Sequence, residues 1–343
     1  MSRSSLDHPF AKPPAAGTVI EVAPHVRWIR MPLPFALDHI NLWALEDGDD
    51  AWTLVDTGVG NDETKALWQT LFDGPLAGRT PRRLIATHFH PDHMGLSGWL
   101  TGRFGIPLTA TQGEWAFGRM LCIDDGDDYA ANQVDYYRRA GYDDDLLAGI
   151  RERRNTYRGR VVPNPVSFNR IKDGDTLSIG GRQWRVIEGG GHSPEHACLY
   201  CAEAGILISG DQVLPRISPI VGVWPQEPEA DPLSLFLAAL GRLKDLPADT
   251  LVLPSHGLPF RGLHARIAEL EAHHDERLAK TLSACEGKVT ALEVLRVLFR
   301  RDLDPYQTGF ATGETLAHLH HLMAHGKVVR DTRPDGVWVF SRG

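Results

Sequence analysis

The sequence predicts a layered α/β fold, and three observations carry that prediction. Short apolar strands alternate with helical stretches along most of the chain. Several of those strands run straight into polar turns rich in histidine and aspartate. After Gly262 the texture changes to three helical segments and a terminal strand pair, which predicts a second, smaller unit. A chain of 343 residues is long enough for one large domain with a small one attached. The expected division is an N-terminal arm over 1–17, a main domain over 18–261 with a helical insert at about 112–160, and a small unit over 262–343.

In order, TVIEVA, VRWIRM, INLWALE and WTLVD read as strands, separated by turn residues such as EDGDD. A helix is expected from about Asp62 to Phe72, with Asp62 as its N-cap and Leu67, Leu71 and Phe72 on one face. RRLIATH is a buried strand, with a new helix from about Gly95. Residues 112–160 are helical in pattern, aromatic and densely charged. TLSIG, RQWRVIEG, ACLYCA and GILISG are strands, and a helix near Pro232 to Lys244 leads to the strand TLVLP. A long helix from Leu263 to Ser283 precedes helical TALEVLRVLF and GETLAHLHHLMAHG. The strand pair KVVRD and GVWVF completes a winged-helix-like unit.

Composition narrows the setting. The net charge of −8 gives no pull toward nucleic acid or an anionic membrane. No stretch approaches the roughly 18 apolar residues that span a bilayer. The opening MSRSSLDHPFAKPPAAG is polar and proline-rich, lacks the apolar core of a secretory signal, and reads as a loose arm. Four cysteines in a chain this long make no disulfide framework. Cys198 and Cys201 form a CxxC within a strand, where positions i and i+3 face opposite ways, so neither a redox pair nor a metal clip is expected. A reducing cytoplasm is the expected setting.

The chemistry concentrates in THFHPDHMG, residues 87–95. His88 and His90 are two apart and point the same way from extended backbone. Pro91 holds His90 extended, and Asp92 and His93 on the following turn can face a second point. A lone histidine would be read as a loop residue; HxHxDH behind an apolar strand is a ligand pattern. Three more candidates close apolar strands: His192 in GGGHSPEH, Asp211 in GDQ and His256 in PSHG. All can converge at one end of the sheets, where open α/β folds place their sites. Five histidines and two carboxylates without cysteine suit catalytic zinc, iron or manganese rather than a structural zinc.

With LVDTG at 54–58, HFHPDH followed by His192, Asp211 and His256 resembles the metallo-β-lactamase superfamily, from about Val19 to Phe260. The resemblance implies a four-layer αββα sandwich with a two-metal site at its edge. It further implies that His88, His90 and His192 hold one cation, that Asp92, His93 and His256 hold the other, and that Asp211 bridges them. Asp56 would support a ligand from behind. Two cations about 3.5–4 Å apart would explain why one short turn must reach both. Aspartate at 211 and the absence of a signal argue against an exported antibiotic-degrading enzyme. Histidine at 90 and the lack of a flavodoxin segment argue against flavodiiron oxygen reductases. Only 44 residues separate Asp211 from His256, which disfavours the RNA-processing branch with a large extra domain there. The C-terminal unit resembles the winged-helix tail of a glyoxalase-II-like subgroup, some of which act on thioesters while one branch cuts single-stranded RNA.

The implied function is a dinuclear metal-dependent hydrolase of carbonyl esters, thioesters first, working through a hydroxide shared by two divalent ions. Asp92 or Asp211 would relay the proton. The alternatives are a lactonase, a single-stranded RNA endoribonuclease and a mononuclear iron enzyme like the persulfide dioxygenases. Beyond the ligands, His196 is expected to support by hydrogen bonding. His39 and Asn41 have a pocket or a structural role, and Arg216 an anion-anchoring or a surface one. The run RERRNTYRGR reads as a solvated helix face ahead of a carboxylate- or phosphate-binding one. His318, His320, His321 and His325 spread over more than one helix face and predict no metal site. From Gly262 onward eleven Lys plus Arg balance eleven Asp plus Glu, and ETLAHLHHLMAH contains neither Lys nor Arg. Nucleic acid is therefore not an expected partner; the unit should pack on the main domain or on a second subunit of a homodimer. The expected partner is a small-molecule substrate. Between His93 and His192 lie 98 residues, and the insert among them is expected to be a lid that sets substrate choice.

Overall fold

A computed structural model describes residues 6–34, 37–153, 155–300 and 302–343; Arg154 of the basic run and the first five residues of the arm lie outside them. β1 (Val19–Ala23), β2 (Val26–Pro32), β3 (His39–Glu46) and β4 (Ala51–Val55) form an antiparallel meander. α1 (Asp62–Asp73) then crosses over, so β5 (Thr80–Ile85) joins β4 in parallel. α2 (Pro91–Met94) and α3 (Ser97–Phe104) lead to β6 (Leu108–Ala110). α4 (Gln112–Ile123), α5 (Asp127–Arg139), α6 (Asp144–Glu152) and a 3-10 turn at Arg158–Arg160 precede the edge strand β7 (Asn169–Arg170). The second sheet contains β8 (Thr176–Ile179), β9 (Arg182–Glu188), β10 (Ala197–Cys201) and β11 (Ile206–Gly210). α7 (Pro232–Leu243) returns the chain to β12 (Leu251–Pro254), parallel to β11.

The central strands are apolar on both sides because both sides are covered. Trp28, Trp43 and Val55 of the first sheet meet Trp184, Leu199 and Leu253 of the second. On the outer faces, Leu42, Ala44 and Leu54 pack with Trp68 and Leu71 of α1, while Tyr200 and Leu207 pack with Phe236 and Leu240 of α7. Helix, sheet, sheet and helix stack as four layers. Cys198 lies in the outer cluster and Cys201 in the inner one, so strand geometry separates the CxxC pair. Among the described residues, no helix is long and apolar enough to cross a membrane.

Three expectations need correction. α1 is capped by Asn61, whose side chain accepts the Thr64 N–H at 2.8 Å; Asp62 instead sits in the first turn. Its buried stripe is Thr64, Trp68 and Leu71, because the Trp68 indole donates to the Thr57 carbonyl, leaving Leu67 and Phe72 at the flanks. The described part of the arm is docked rather than loose. The Asp7 backbone carbonyl accepts the Arg261 N–H at 2.8 Å, and the Phe10 ring meets Trp28 edge-on.

The C-terminal unit comprises α8 (Leu263–Ala284), α9 (Ala291–Leu298), α10 (Pro305–Ala324) and the antiparallel pair β13 (Val328–Thr332) and β14 (Trp338–Arg342). Thr290 and Glu293 form a reciprocal capping box that starts α9. α10 begins well before the expected GETLAHLHHLMAHG. Gly309 and Gly313 lie where the helix meets its neighbours: a Cβ on Gly313 would come within 2.8 Å of the Val223 carbonyl. Tyr136, Tyr142 and Ile150 of the insert share one core with Leu292, Leu316 and Leu319. α5 and α6 are thus packed onto the C-terminal unit instead of hanging as a free flap.

Candidate metal centre

The segments that follow β5, β9, β11 and β12, with one helical turn after the first, build the centre, and the end of β4 backs it. β4 ends at Val55, and Asp56 follows with φ of 62°, a left-handed conformation that is uncommon outside glycine. That backbone aims its buried carboxylate at the next strand end, where it accepts the Thr87 N–H at 2.7 Å and the Thr87 hydroxyl at 2.8 Å. The same carboxylate faces His93 Nδ1 at 2.8 Å. The expected helix near Gly95 starts earlier: Pro91 is the first residue of α2, with His90 as the N-cap residue. Asp92 and His93 are therefore presented by a helical turn, while His88 comes from the extended segment before it.

Three groups of ligand atoms converge, each within 4.8 Å: His88, His90 and His192; His88, His93 and Asp211; and Asp92, His93 and His256. All seven sequence candidates are present. His192 Nδ1 donates to the Ile220 carbonyl at 2.7 Å, and His256 Nδ1 donates to the His39 carbonyl at 2.7 Å. Each ring is oriented from behind so that Nε2 points inward. Inside, Asp211 lies 3.5 Å from His93, 3.5 Å from His192 and 3.4 Å from His256. His88 Nε2 lies 3.3 Å from His192 Nε2. Ligand atoms around one zinc with bonds of about 2.0 Å would be roughly 3.3 Å apart. His93 Nε2 and Asp211 Oδ1 are buried without a hydrogen-bond partner. An orphaned carboxylate oxygen is costly unless a cation compensates it, so these residues fit divalent metal ions.

The electrostatics agree. Burial, reinforced by His93 and the other rings, holds His88 well below the usual histidine range, and burial with His192 brings His90 down to about 3. Neutral imidazoles are what metals bind. Burial opposes charge at His93 too, but Asp92, Asp56 and Asp211 outweigh it and push that ring up to about 9. Asp92 stays ionised, down to about 2, because His93 and His256 outweigh its burial. The carboxylates thus favour positive charge at the centre, on His93 and His256 when no metal is bound.

The remaining sequence candidates take distinct places. His196 Nε2 accepts the Asp211 backbone N–H at 3.1 Å, fixing the residue that faces every group. Gly210 must stay bare, since a Cβ there would meet the His196 ring at 2.4 Å. His39 accepts the Gly257 N–H at 3.0 Å, and Asn41 donates to the Pro254 and Gly257 carbonyls. Both brace the loop that carries His256. Arg216 is exposed and, with His39 and His256, lines a groove of about 380 Å³.

Sequence reasoning missed Glu114 and Tyr157, both from the insert. Glu114 is fully buried and accepts the Phe89 N–H at 2.9 Å, the Ser193 hydroxyl at 2.7 Å and the Glu195 N–H at 2.7 Å. Tyr157 donates to the Phe89 carbonyl at 2.7 Å. Phe89 stands between His88 and His90, so the insert grips the first ligand loop and ties it to the loop after His192. A lone glutamate in QGEW, far from any ligand motif, carries no signal of this.

The chain matches the family described as the metallo-beta-lactamase superfamily over residues 36–256, and the metallo-beta-lactamase-like C-terminal domain over 278–343. It is similar to a crystal structure of a beta-lactamase domain protein from Burkholderia ambifaria, with 46% identity, a TM-score of 0.91 and 98% of each chain covered. An atrochrysone carboxyl ACP thioesterase from Cryptosporiopsis is 24% identical over 82% of this chain and 69% of its own length. The human acyl-coenzyme A thioesterase MBLAC2 is 25% identical over 54% of this chain and 62% of its own. Ligand order, sheet architecture and family match coincide, and the chain belongs to the metallo-beta-lactamase superfamily as a metal-dependent hydrolase.

Proposed function

We propose that this hydrolase cleaves small thioesters and holds two divalent cations, zinc first, with iron or manganese accepted by the same donors. The observation that carries the reading is that Asp211 lies within 3.5 Å of His93, His192 and His256, which between them belong to all three ligand groups, while its buried Oδ1 makes no hydrogen bond. His88, His90 and His192 would hold one cation, Asp92, His93 and His256 the other, with Asp211 facing both. When bound, the pair would supply a water of lowered pKa and polarise the carbonyl under attack. The chain does the rest. Asp92 and Asp211 are placed to take up and pass on a proton at their carboxylate oxygens. Asp56 keeps His93 turned inward, and the His39 and Ile220 carbonyls do the same for His256 and His192.

The thioester choice is supported by the two thioesterase relatives and by an aromatic chamber beside His90. Lactones are the nearest chemical alternative. Docking of α10 into a nucleic-acid groove is disfavoured because that stretch is buried, Leu316 to His320 included. Elemental analysis of purified protein, with a screen of thioesters, lactones and single-stranded RNA, tests the reading. About two metals per chain and thioester turnover are expected. Replacing His88 or His192 should empty one site and His256→Ala the other. One iron per chain with oxygen consumption, or turnover confined to RNA, would overturn it.

A further inference from the structure

A cavity of about 210 Å³ opens at His90 and Pro91. Its walls come from three parts of the chain: Phe117, Tyr129 and Tyr137 of the insert, Trp224 of the loop after β11, and Phe310 of α10. Trp224 and Phe310 meet edge-on, with ring centroids 5.8 Å apart at 88°. Hydrogen bonds pin the three walls together. Tyr136 donates to the Val223 carbonyl at 2.8 Å, Asn132 to the Pro225 carbonyl at 3.0 Å, and Val223 N–H to the Gly313 carbonyl at 3.0 Å. Tyr142 and Thr312 share a hydroxyl contact at 2.7 Å. This is a preformed pocket, not a gap between mobile parts.

We infer that the chamber seats a ring-bearing acyl group with its carbonyl toward the metal centre, and that Phe310 makes the C-terminal unit a determinant of specificity. Size and surface chemistry converge on that class. A cavity of about 150 Å³ takes a benzene ring, so this one has room for one or two fused rings. Its aromatic walls present both ring faces and edges, which favour offset and edge-to-face partners. Arg153 and Arg160 also line it, and among the described lining residues there is no carboxylate to repel an acid product. The substrate side of the inference rests on the thioesterase reading; the pocket side does not.

The test uses the metal-loaded full chain, 2-naphthoate as probe, and the N-acetylcysteamine thioesters of 2-naphthoate and acetate as substrates. Phe310→Ala should lower kcat/KM for the naphthoyl thioester roughly 10-fold while sparing the acetyl one. Phe310→Leu, which keeps an apolar side chain in the wall, should fall between, with metal content as the control for folding. Naphthoate binding, followed by quenching of Trp224 and referenced to Trp224→Phe, should weaken in the same order. Naphthoate binding that ranks this way without turnover of either thioester would sink the thioesterase reading and leave the pocket standing. Equal losses on both substrates, or unchanged naphthoate affinity in a folded Phe310→Ala protein, would overturn the pocket.

Discussion

Two groups of histidines lie in this molecule, and they differ in the carboxylates set among them. At the strand ends, five imidazoles surround Asp92 and Asp211, with Asp56 behind, and the carboxylates push His93 up to about 9. In the C-terminal unit, His274 and His318 are equally buried and only 3.3 Å apart, yet burial brings them down to about 3 and about 4. His318 Nδ1 donates to the Glu314 backbone carbonyl, His320 to the Ala230 carbonyl and His325 to the His321 carbonyl. His274 and His320 each keep one unpartnered ring nitrogen, but no ligand group of three forms there among the described residues. A bare nitrogen on a neutral ring is a modest cost, whereas a bare buried carboxylate oxygen is a large one. Buried carboxylates among the rings make a cation site, not the density of histidine.

The comparison breaks first at Asp211. Asp211→Asn keeps the shape and removes the charge, so turnover should fall by roughly 10³-fold, several kcal/mol of barrier, with little change in Tm. Near-wild-type turnover with metals still bound would show that charge at this position is not what sets the two groups apart.

Glu114 sharpens the comparison from behind the ligands. Glu114→Ala should weaken metal affinity about 10–100-fold, read by competitive chelator titration, because the Phe89 and Ser193 loops lose their shared anchor. Burial pushes Glu114 up to about 7, although the Ser193 hydroxyl and two backbone N–H groups favour its anion. Its ordinary value is 4.5, so in the folded state it keeps its proton longer than in the unfolded chain. Its contribution to stability in metal-free protein is complete below that value and is lost as pH rises through about 7. Melting curves of Glu114→Gln should lack that slope; an identical slope would assign it to another group.

The smallest effect belongs to the second group. His318→Ala should cost about 1–3 kcal/mol of stability by opening the helix contact, with metal content and turnover unchanged. A drop in metal content would mean that these histidines also hold an ion.

The local chemistry was legible because it is periodic or contiguous. HFHPDH places its ligands within six positions, and His192, Asp211 and His256 each close an apolar strand, so a period-2 pattern and a strand end locate them. The four layers follow from strands that are apolar on both faces. The N-cap of α1 was misplaced by one residue because Asn61 and Asp62 are both good caps, and the backbone alone selects between them.

What only the tertiary structure decided is who stands behind the ligands. Glu114 and Tyr157 reach Phe89 from 25 and 68 residues away, and Phe310 meets the pocket from beyond the last ligand. None of these contacts has a sequence period, since each depends on how two separately folded elements dock. The two glycines of α10 show the same limit: in one dimension they weaken a helix, and in three they let it approach Val223 and Tyr137. The sequence by itself determined which residues can bind a cation. The fold decided which of them are held ready to do so, because orientation and buried charge are properties of a packed neighbourhood.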